Sequence, residues 1–361
     1  MKIIIDKNIP YIQGAFENVA EVEYLTYKEM TAETVRDADA LIIRTRTICN
    51  KNLLDGSKIK FIATATIGYD HIDTAYCAKN GIQWTNAPGC NALSVTQYIA
   101  SALVYLAEKN NFELGKKTLG IIGVGNVGFR VAKLAEGFGM KVLLNDPPRE
   151  RAEGKSDFVS LAEIAAKADI ITFHPFLNFE GQDKTFHLAD SNFFHSLKNK
   201  PIIINSSRGE VVDNQALKEA MEKSLVSDVV LDCWENEPEI DLDLLKNVAL
   251  ATPHIAGYSA DGKANATMQS VQSVSRFFNL ELNNWQPDEL PKGLSGDFST
   301  LNCTDFFKKT YDIVSESNLL KSSPETFEQQ RSHYPVRREP KAYKGDLPKG
   351  FKEKFGVFFD L

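Results

Sequence analysis

A glycine-rich stretch near the middle of the chain, GIIGVGNVGFR, most constrains how this sequence can fold. Its glycines Gly123, Gly125 and Gly128 have the G-x-G-x-x-G spacing, which is weak evidence alone because glycines also recur in ordinary turns. The strand-like run TLGII precedes the pattern, and the helical pattern FRVAKLAEGFG follows it. A strand, a tight glycine turn and a helix in this order are typical of the first unit of a dinucleotide-binding domain.

Each residue of the glycine loop has an expected task in holding a dinucleotide. Gly123 permits the tight turn, Gly125 lets the main chain approach a pyrophosphate, and Gly128 lets helix and strand pack closely. The amide groups of Asn126 and Val127 would then face an anion at the N-terminus of the helix.

A carboxylate follows at the spacing that such domains use for the ribose. Asp146 ends the next strand-like run, in LLNDPPR, eighteen residues after Gly128. It would accept hydrogen bonds from the adenosine ribose and repel a 2′-phosphate, so NAD is predicted rather than NADP. Arg149 would weaken this preference, but Pro147 and Pro148 are expected to turn it away. The alternative for Asp146 is an ordinary residue of a turn at the strand end.

Apolar runs alternate with helical stretches along most of the chain. From residue 118 onward the strand-like runs are TLGIIG, KVLLND, DIITFH, PIIINS, DVVLDC and VALATP, and before residue 90 they are KIII, ALIIR and KFIATAT. Such alternation indicates parallel sheets with crossover helices. The predicted fold is α/β, with two doubly wound parallel-sheet domains, one flavodoxin-like and one of the Rossmann type, and a small α+β C-terminal domain.

The same pattern, with the proline and glycine content of WQPDELPKG, predicts the domain boundaries. The apolar segment that begins at Ala92 is expected to be a buried helix linking two bodies. These patterns place domain boundaries near residues 93, 257 and 285.

Composition excludes several classes of function. The 361 residues carry a net charge of −7, which argues against a nucleic-acid-binding surface. The five cysteines are scattered without C-x-x-C or paired Cys/His spacing, so neither disulfides nor a metal site is expected. No apolar run reaches the length of about 18 residues that a membrane span needs. With no recognisable signal peptide, a cytoplasmic enzyme is expected.

Three polar residues follow later strand-like runs of the second series: Arg208 after IIIN, Glu237 after VVLDCWENE and His254 after ALATP. The strands of one parallel sheet bring their carboxyl ends to one edge, so these side chains would converge. Oxidation of a 2-hydroxy acid suits them: a histidine takes the hydroxyl proton, a carboxylate orients the ring, and an arginine holds the substrate carboxylate. Taken separately, each has an ordinary alternative: a surface ion pair for Arg208, a solvated loop charge for Glu237 and a structural role for His254.

The stretches NSSRG, VLDCWENEP and TPHIAG resemble the signatures of the D-specific 2-hydroxyacid dehydrogenases. Further stretches, TATIGYDHID, APGCNA, NDPPR and HIAGYSADGKA, resemble the branch of that family that acts on 4-phospho-D-erythronate. The resemblance implies that Arg208, Glu237 and His254 are active-site residues, with His254 as proton donor and acceptor. It implies an NAD site lined by Asp146, Ser206, Ser207, Arg208, Asp232 and Gly257, and substrate contacts from Thr45, Thr66 and Tyr258.

A pair of arginines suggests a further part of the substrate site, and one proline departs from the pattern of the family. Arg44 and Arg46 flank Thr45 after the run ALII, and two arginines at a strand end suggest a phosphate site, with solvated surface charges as the alternative. Pro175 directly follows His174, where the family has a threonine, so a hydroxyl contact to the cofactor is missing or replaced.

The resemblance implies a discontinuous substrate domain of residues 1–93 and 258–285, an NAD-binding domain of residues 94–257, and a C-terminal dimerisation domain of residues 286–361. It also implies NAD-dependent oxidation of 4-phospho-D-erythronate to 2-oxo-3-hydroxy-4-phosphobutanoate, in pyridoxal 5′-phosphate biosynthesis. The alternatives are another acid of the same class, such as 3-phosphoglycerate or hydroxypyruvate and glyoxylate, an NAD-sensing co-repressor-like protein, and a structural dimer. The expected partners are a small phosphorylated hydroxy acid and a second copy of the chain, because the charged tail is too small to hold a strong core alone.

Overall fold

The computed structural model describes residues 1–154 and 157–359. These fall into two compact units, each built from two separate stretches of the chain. The first unit comprises residues 1–91 and 259–291, and the second comprises the described residues within 92–258 and 292–361.

The described residues form eleven strands, all of five residues or fewer. They are β1 Lys2–Asp6, β2 Glu21–Leu25, β3 Ala40–Ile43, β4 Phe61–Thr64, β5 Gln83–Thr85, β6 Thr118–Ile122, β7 Lys141–Asn145, β8 Ile170–Phe173, β9 Ile202–Asn205, β10 Val229–Leu231 and β11 Leu250–Ala251.

The α-helices of the described residues range from single turns to five turns. They are α1 Lys51–Leu54, α2 Thr74–Lys79, α3 Ala92–Lys109, α4 Asn126–Gly137, α5 Pro147–Glu153, α6 Leu161–Lys167, α7 Ser191–Ser196, α8 Asn214–Glu222, α9 Leu242–Asn247, α10 Ala260–Phe278, α11 Cys303–Thr310, α12 Ile313–Ser322, α13 Phe327–Ser332 and α14 Phe351–Lys354.

The first unit is built on a parallel sheet of order β2-β1-β3-β4-β5. Its central strands are buried along their whole length, because both faces of the sheet carry an apolar core. The order 2-1-3-4-5 is that of flavodoxin-like folds, so the predicted architecture of this unit is confirmed.

The second unit is built on a parallel sheet of order β11-β10-β9-β8-β6-β7. All six predicted strands are present and are largely apolar, as strands covered on both faces should be. An isolated parallel bridge between Phe158 and Leu144 adds one more pairing beside β7. The carboxyl ends of β9, β10 and β11 lie side by side, which is where Arg208, Glu237 and His254 follow.

The C-terminal segment differs from the prediction of a separate small α+β domain. Its described residues, 292–359, form α-helices and 3₁₀ turns without a strand, and they belong to the second compact unit. The physical reason is a shared core that joins α3 and α4 to a cluster of tail aromatics, namely Phe306, Phe307, Phe351, Phe355 and Phe358. At Gly137 of α4, an added Cβ would lie 2.2 Å from the Lys354 carbonyl oxygen, so only a glycine admits this contact.

Helix α3 is buried along most of its length, as its apolar sequence predicted. Within the part of the chain that the structure describes, every helix is too short or too polar to span a lipid bilayer.

Candidate active site

The glycine loop connects β6 to α4 with the geometry of a phosphate-binding turn. Gly123 has a φ of +85°, and an added Cβ there would lie 2.4 Å from the Pro175 nitrogen. An added Cβ on Gly128 would lie 2.0 Å from the Gly123 carbonyl oxygen. A Cβ on Gly125 would meet nothing within 4 Å, so the main chain is open on that side. The loop therefore has room for an anion above the start of α4 at Asn126.

The Asp146 carboxylate lies at this loop. Its Oδ2 accepts from the Val124 amide at 2.8 Å, and its Oδ1 accepts from the Arg149 amide at 3.1 Å, which caps α5. The expectation that Pro147 and Pro148 turn Arg149 away is wrong. The Arg149 guanidinium donates to the Val124 carbonyl oxygen and lies 5.5 Å from the Phe158 ring centre. A cation is thus present beside the carboxylate that was predicted to select NAD.

The residues after β9 form a compact turn that presents Arg208. The Asn205 side chain accepts from the Ser207 amide at 3.1 Å and donates to the Arg208 carbonyl oxygen at 2.8 Å. The Ser206 hydroxyl is buried without a partner among the described residues. A buried hydroxyl of this kind, together with the open glycine loop, fits a dinucleotide that supplies polar atoms.

Gly209 explains why a glycine follows the arginine. An added Cβ at this position would lie 2.0 Å from the Trp234 carbonyl oxygen, so only a glycine lets the two turns pack. The contact brings the turn after β9 against the turn after β10, which carries Glu237. Arg208 itself donates from Nη1 to the Ser207 carbonyl oxygen at 2.9 Å.

His254 and Glu237 form a hydrogen-bonded pair with 2.8 Å between Nδ1 and Oε2. The other oxygen of Glu237 accepts from the Trp234 amide at 2.9 Å, which fixes the carboxylate. Burial alone would raise the pKa of Glu237, but the charge and hydrogen bond of His254 outweigh it and lower the pKa below 4.5. The carboxylate is therefore ionised at neutral pH and holds the Nδ1–H of the imidazole.

A cavity of about 410 Å³ is bordered by all three residues predicted to be catalytic, Arg208, Glu237 and His254. Glu235 and His187 line the same cavity. The structure therefore brings together three side chains that are far apart in sequence, at the carboxyl edge of one sheet.

Sequence reasoning missed a second imidazole–carboxylate pair in this cavity. His187 Nε2 lies 2.6 Å from Glu235 Oε1, and Glu235 Oε2 accepts from the Asn214 amide at 2.9 Å. The sequence ENEPE offered three glutamates, and the structure separates them: Glu235 contacts His187, Glu237 contacts His254, and Glu239 is exposed. The closely spaced glutamates of ENEPE were visible in the sequence, but nothing there indicated that His187 would pair with one of them.

Asp232 is buried at 1% exposure beside the turn that carries His254. Its carboxylate accepts from the Thr252 hydroxyl at 2.7 Å and from the amides of Ile255 and Ala256 at 2.8 and 2.9 Å. Burial raises its pKa, while His254 and these hydrogen bonds oppose the shift. Asp232 therefore supports the segment between His254 and Gly257, and its predicted contact with the cofactor stays a prediction.

Tyr258 lies in the second unit, where it meets the C-terminal segment. Its ring is edge-on to Tyr334 at 5.8 Å, and the Arg331 guanidinium lies 5.9 Å from its ring centre. The sequence did not predict that the tail reaches a residue assigned to the substrate site.

The other residues predicted to contact substrate lie in the first unit. The Thr66 hydroxyl contacts the Thr64 hydroxyl at 2.7 Å and donates to the Gly68 carbonyl oxygen at 2.9 Å. His71 is buried and contacts Thr64 at 3.0 Å, and burial lowers its pKa, which agrees with a structural role.

Strand β3 ends at Ile43, so strand alternation does not orient the two arginines that follow it. Arg44 Nε donates to buried Asp6 at 3.0 Å, while Arg46 lies 5.7 Å from the Tyr27 ring centre and is exposed, as is Thr45. The predicted phosphate site at Arg44 and Arg46 stays a prediction.

Comparisons with known proteins agree with this geometry. A family model described as D-isomer specific 2-hydroxyacid dehydrogenase, NAD binding domain, matches residues 100–256. The curated erythronate-4-phosphate dehydrogenase of Bacteroides thetaiotaomicron is 56% identical over 344 residues, covering 95% of this chain and 98% of that protein. That of Porphyromonas gingivalis is 42% identical, with 95% of each chain covered. Among solved structures, the NAD⁺-bound 3-phosphoglycerate dehydrogenase of Entamoeba histolytica is 25% identical, with a TM-score of 0.65, covering 81% of this chain and 99% of that chain.

Identity above one half over nearly the full length of a curated protein decides the family. The matched domain and the NAD-bound structural neighbour agree with the glycine loop on the cofactor. This chain belongs to the D-isomer specific 2-hydroxyacid dehydrogenases and uses NAD.

Proposed function

We propose that this chain oxidises 4-phospho-D-erythronate to 2-oxo-3-hydroxy-4-phosphobutanoate, a step of pyridoxal 5′-phosphate biosynthesis. The observation that carries the proposal is the His254–Glu237 pair, which borders one cavity with Arg208 in the unit that holds the glycine loop. The substrate is inferred from the curated relatives named erythronate-4-phosphate dehydrogenase, which share up to 56% of their residues with this chain over 95% of its length.

His254 is the proposed general base. Oxidation of a secondary alcohol removes the hydroxyl proton and a hydride from the same carbon. Because Nδ1 of His254 donates to Glu237, the proton of the substrate would be taken by Nε2. When bound at the glycine loop, NAD supplies the ring that accepts the hydride.

Glu237 is proposed to keep His254 in the productive tautomer. Its carboxylate accepts the Nδ1–H and stays ionised, so it stabilises the imidazolium that forms when Nε2 takes a proton. The Trp234 amide holds the carboxylate from the other side, so that it cannot rotate away from the ring.

Arg208 is proposed to bind the substrate. Its planar guanidinium can hold a carboxylate through two parallel hydrogen bonds, and its charge offsets the negative charge of the acid. The cavity it borders also contains the carboxylates of Glu235 and Glu237, so this cation is what would make the site accept an anion. Ser206, Ser207, Asp232 and Gly257 are proposed to contact the cofactor, and Thr45, Thr66 and Tyr258 the substrate.

The substrate is tested by comparing turnover of three acids, 4-phosphoerythronate, 3-phosphoglycerate and glycerate, with NAD and with NADP. The proposal expects the highest kcat/KM with 4-phosphoerythronate and NAD. A higher value with 3-phosphoglycerate would move the assignment to another acid of the class. NAD binding in calorimetry without turnover of any acid would favour a sensor over an enzyme.

We also infer that the chain forms a homodimer through its C-terminal segment. The tail carries exposed apolar side chains, among them Val314, Leu319 and Val336, which a second copy would cover. Sedimentation of the full chain tests the inference, with a dimer expected for the wild type and a shift toward monomer expected for Leu319→Asp. A wild type that sediments as a monomer at micromolar concentration would contradict it.

A further inference from the structure

The C-terminal segment reaches the turn that carries His254. Arg337 lies between α13 and the 3₁₀ turn Pro340–Tyr343, and its side chain is buried, with 5% exposure of the residue. Its Nη2 donates to the Ala256 carbonyl oxygen at 2.6 Å and to the Ile255 carbonyl oxygen at 3.4 Å. These are the two residues that directly follow His254.

Asp232 holds the same turn by accepting hydrogen bonds from the amide groups of the turn. The carboxylate of Asp232 accepts from the amides of Ile255 and Ala256, and its main-chain carbonyl accepts from the His254 amide at 2.7 Å. The turn is therefore held on its N–H groups by a carboxylate and on its carbonyl groups by the guanidinium of Arg337.

The backbone of His254 needs such support. Its φ is +54°, in the left-handed region that a residue with a side chain seldom adopts. A residue keeps this backbone conformation only where the surrounding structure holds it in place. Here the hydrogen bonds of the following two residues, Ile255 and Ala256, do so. A change in the turn would rotate the imidazole away from Glu237 and from the substrate.

Stability alone does not account for Arg337. Its Nε and Nη1 have no acceptor among the described residues, and its guanidinium stacks 4.2 Å from the Tyr311 ring centre. The phenol groups of Tyr334 and Tyr311 and then the carboxylates of Glu316 and Asp232 are the acidic groups that act on its charge. A buried cation with unused donors is costly, and replacing buried charges with apolar side chains of similar volume is often neutral or stabilising.

We propose that Arg337 is a positioning residue for the dehydrogenase reaction. By fixing the carbonyl groups of Ile255 and Ala256, it sets the direction in which His254 faces its substrate and keeps Asp232 paired with the turn. The C-terminal segment thus contributes to catalysis within its own chain. The kinetic part of this inference rests on the proposed function, and the structural part does not.

The experiment compares Arg337→Met, Arg337→Lys and the matched control Phe358→Leu in the full-length protein. Phe358 is a buried tail residue whose ring packs on the rings of Phe307 and Phe351. For each variant, kcat, KM, the melting temperature and amide hydrogen exchange of the peptide containing Ile255 and Ala256 are measured.

Arg337→Met is expected to lower kcat by about 10²-fold with little change in KM, because a misplaced catalytic group slows chemistry more than binding. Lysine should restore part of kcat, since it can still donate to one carbonyl. Exchange of the 255–256 amides should quicken in Arg337→Met and stay unchanged in Phe358→Leu.

Wild-type kcat and exchange in Arg337→Met would overturn the proposal. So would equal losses in Phe358→Leu at a matched melting temperature, because the effect would then be general destabilisation of the tail. If the wild type oxidises none of the acids tested, the proposed function fails, and the exchange measurement still decides whether Arg337 holds the turn after His254.

Discussion

Nδ1 of His254 lies 2.8 Å from Oε2 of Glu237, although the two residues follow different strands of the sheet. The pair borders the cavity that Arg208 also lines. An imidazole held by a carboxylate at Nδ1 offers Nε2 as its only site for taking a proton, and this defines the first two predictions.

Replacing His254 with alanine should lower kcat by about 10²- to 10⁴-fold, because general-base assistance is lost. NAD binding should survive, since the glycine loop and Asp146 are untouched. Steady-state kinetics and calorimetric titration with NAD measure the two effects. His195→Ala is the matched control, because His195 is exposed and bonds to Ser191 within its own helix. Near wild-type turnover in His254→Ala would refute the assigned role.

Replacing Glu237 with glutamine keeps the size of the side chain but removes its charge. An amide group facing Nδ1 favours the wrong tautomer of His254, so kcat should fall by about 10²- to 10⁴-fold while the fold is retained. Glu239→Gln, at the exposed glutamate of the same turn, should keep wild-type kinetics. Equal activity of the two variants would show that the carboxylate of Glu237 is not needed.

The lowered pKa of Glu237 also predicts a pH dependence of stability. Because the folded state holds the carboxylate ionised below the ordinary pKa of 4.5, the unfolded state binds the proton first as the pH falls. The stabilisation is complete above 4.5 and is lost as the pH falls through the lower folded value. The difference in urea-unfolding free energy between wild type and Glu237→Gln should therefore shrink in acid. A constant difference would contradict the shift.

Asp146→Ala should relax the preference for NAD, because the charge that repels a 2′-phosphate is removed while Arg149 stays beside the glycine loop. The ratio of kcat/KM for NAD and NADP measures this. Asp146 also caps α5, and removing such a cap lowers the free energy of unfolding by about 0.5–2 kcal/mol. Asp146→Ser is therefore the control, because serine keeps a capping side chain. The double variant with Arg149→Ala should lose the gained use of NADP. An unchanged ratio in both single variants would count against the ribose contact.

Gly137→Ala tests the docking of the tail without changing the tail itself. The added Cβ would lie 2.2 Å from the Lys354 carbonyl oxygen, so the unfolding free energy should fall by about 1–3 kcal/mol, as in other overpacked contacts. Gly345→Ala is the control, because an added Cβ there meets nothing within 4 Å. Thermal and urea unfolding measure both variants. Equal stability of the two variants would mean that the tail shifts to accommodate the added methyl group without loss of unfolding free energy.

Local patterns in the sequence were sufficient for the strands of the second sheet and for the glycine turn. The β-branched runs predicted all six strands of the second sheet, and the glycine spacing predicted the turn before α4. Both follow from conformational preferences of neighbouring residues, which any chain with these patterns would share. The positions of Arg208 and His254 after strand ends followed as well, because parallel strands place their carboxyl ends along one edge.

Only the tertiary structure decided which groups meet. It assigned Glu237 rather than Glu235 to His254, turned Arg149 toward the glycine loop, and placed Arg337 on the turn after His254. It also packed the tail into the second unit, where a separate domain had been predicted. The contacts of His254, Arg149 and Arg337 join residues 17, 25 and 81 positions apart, and the tail contacts span still longer separations. Their formation depends on how the apolar faces of whole elements pack, and no local pattern of residues encodes that packing.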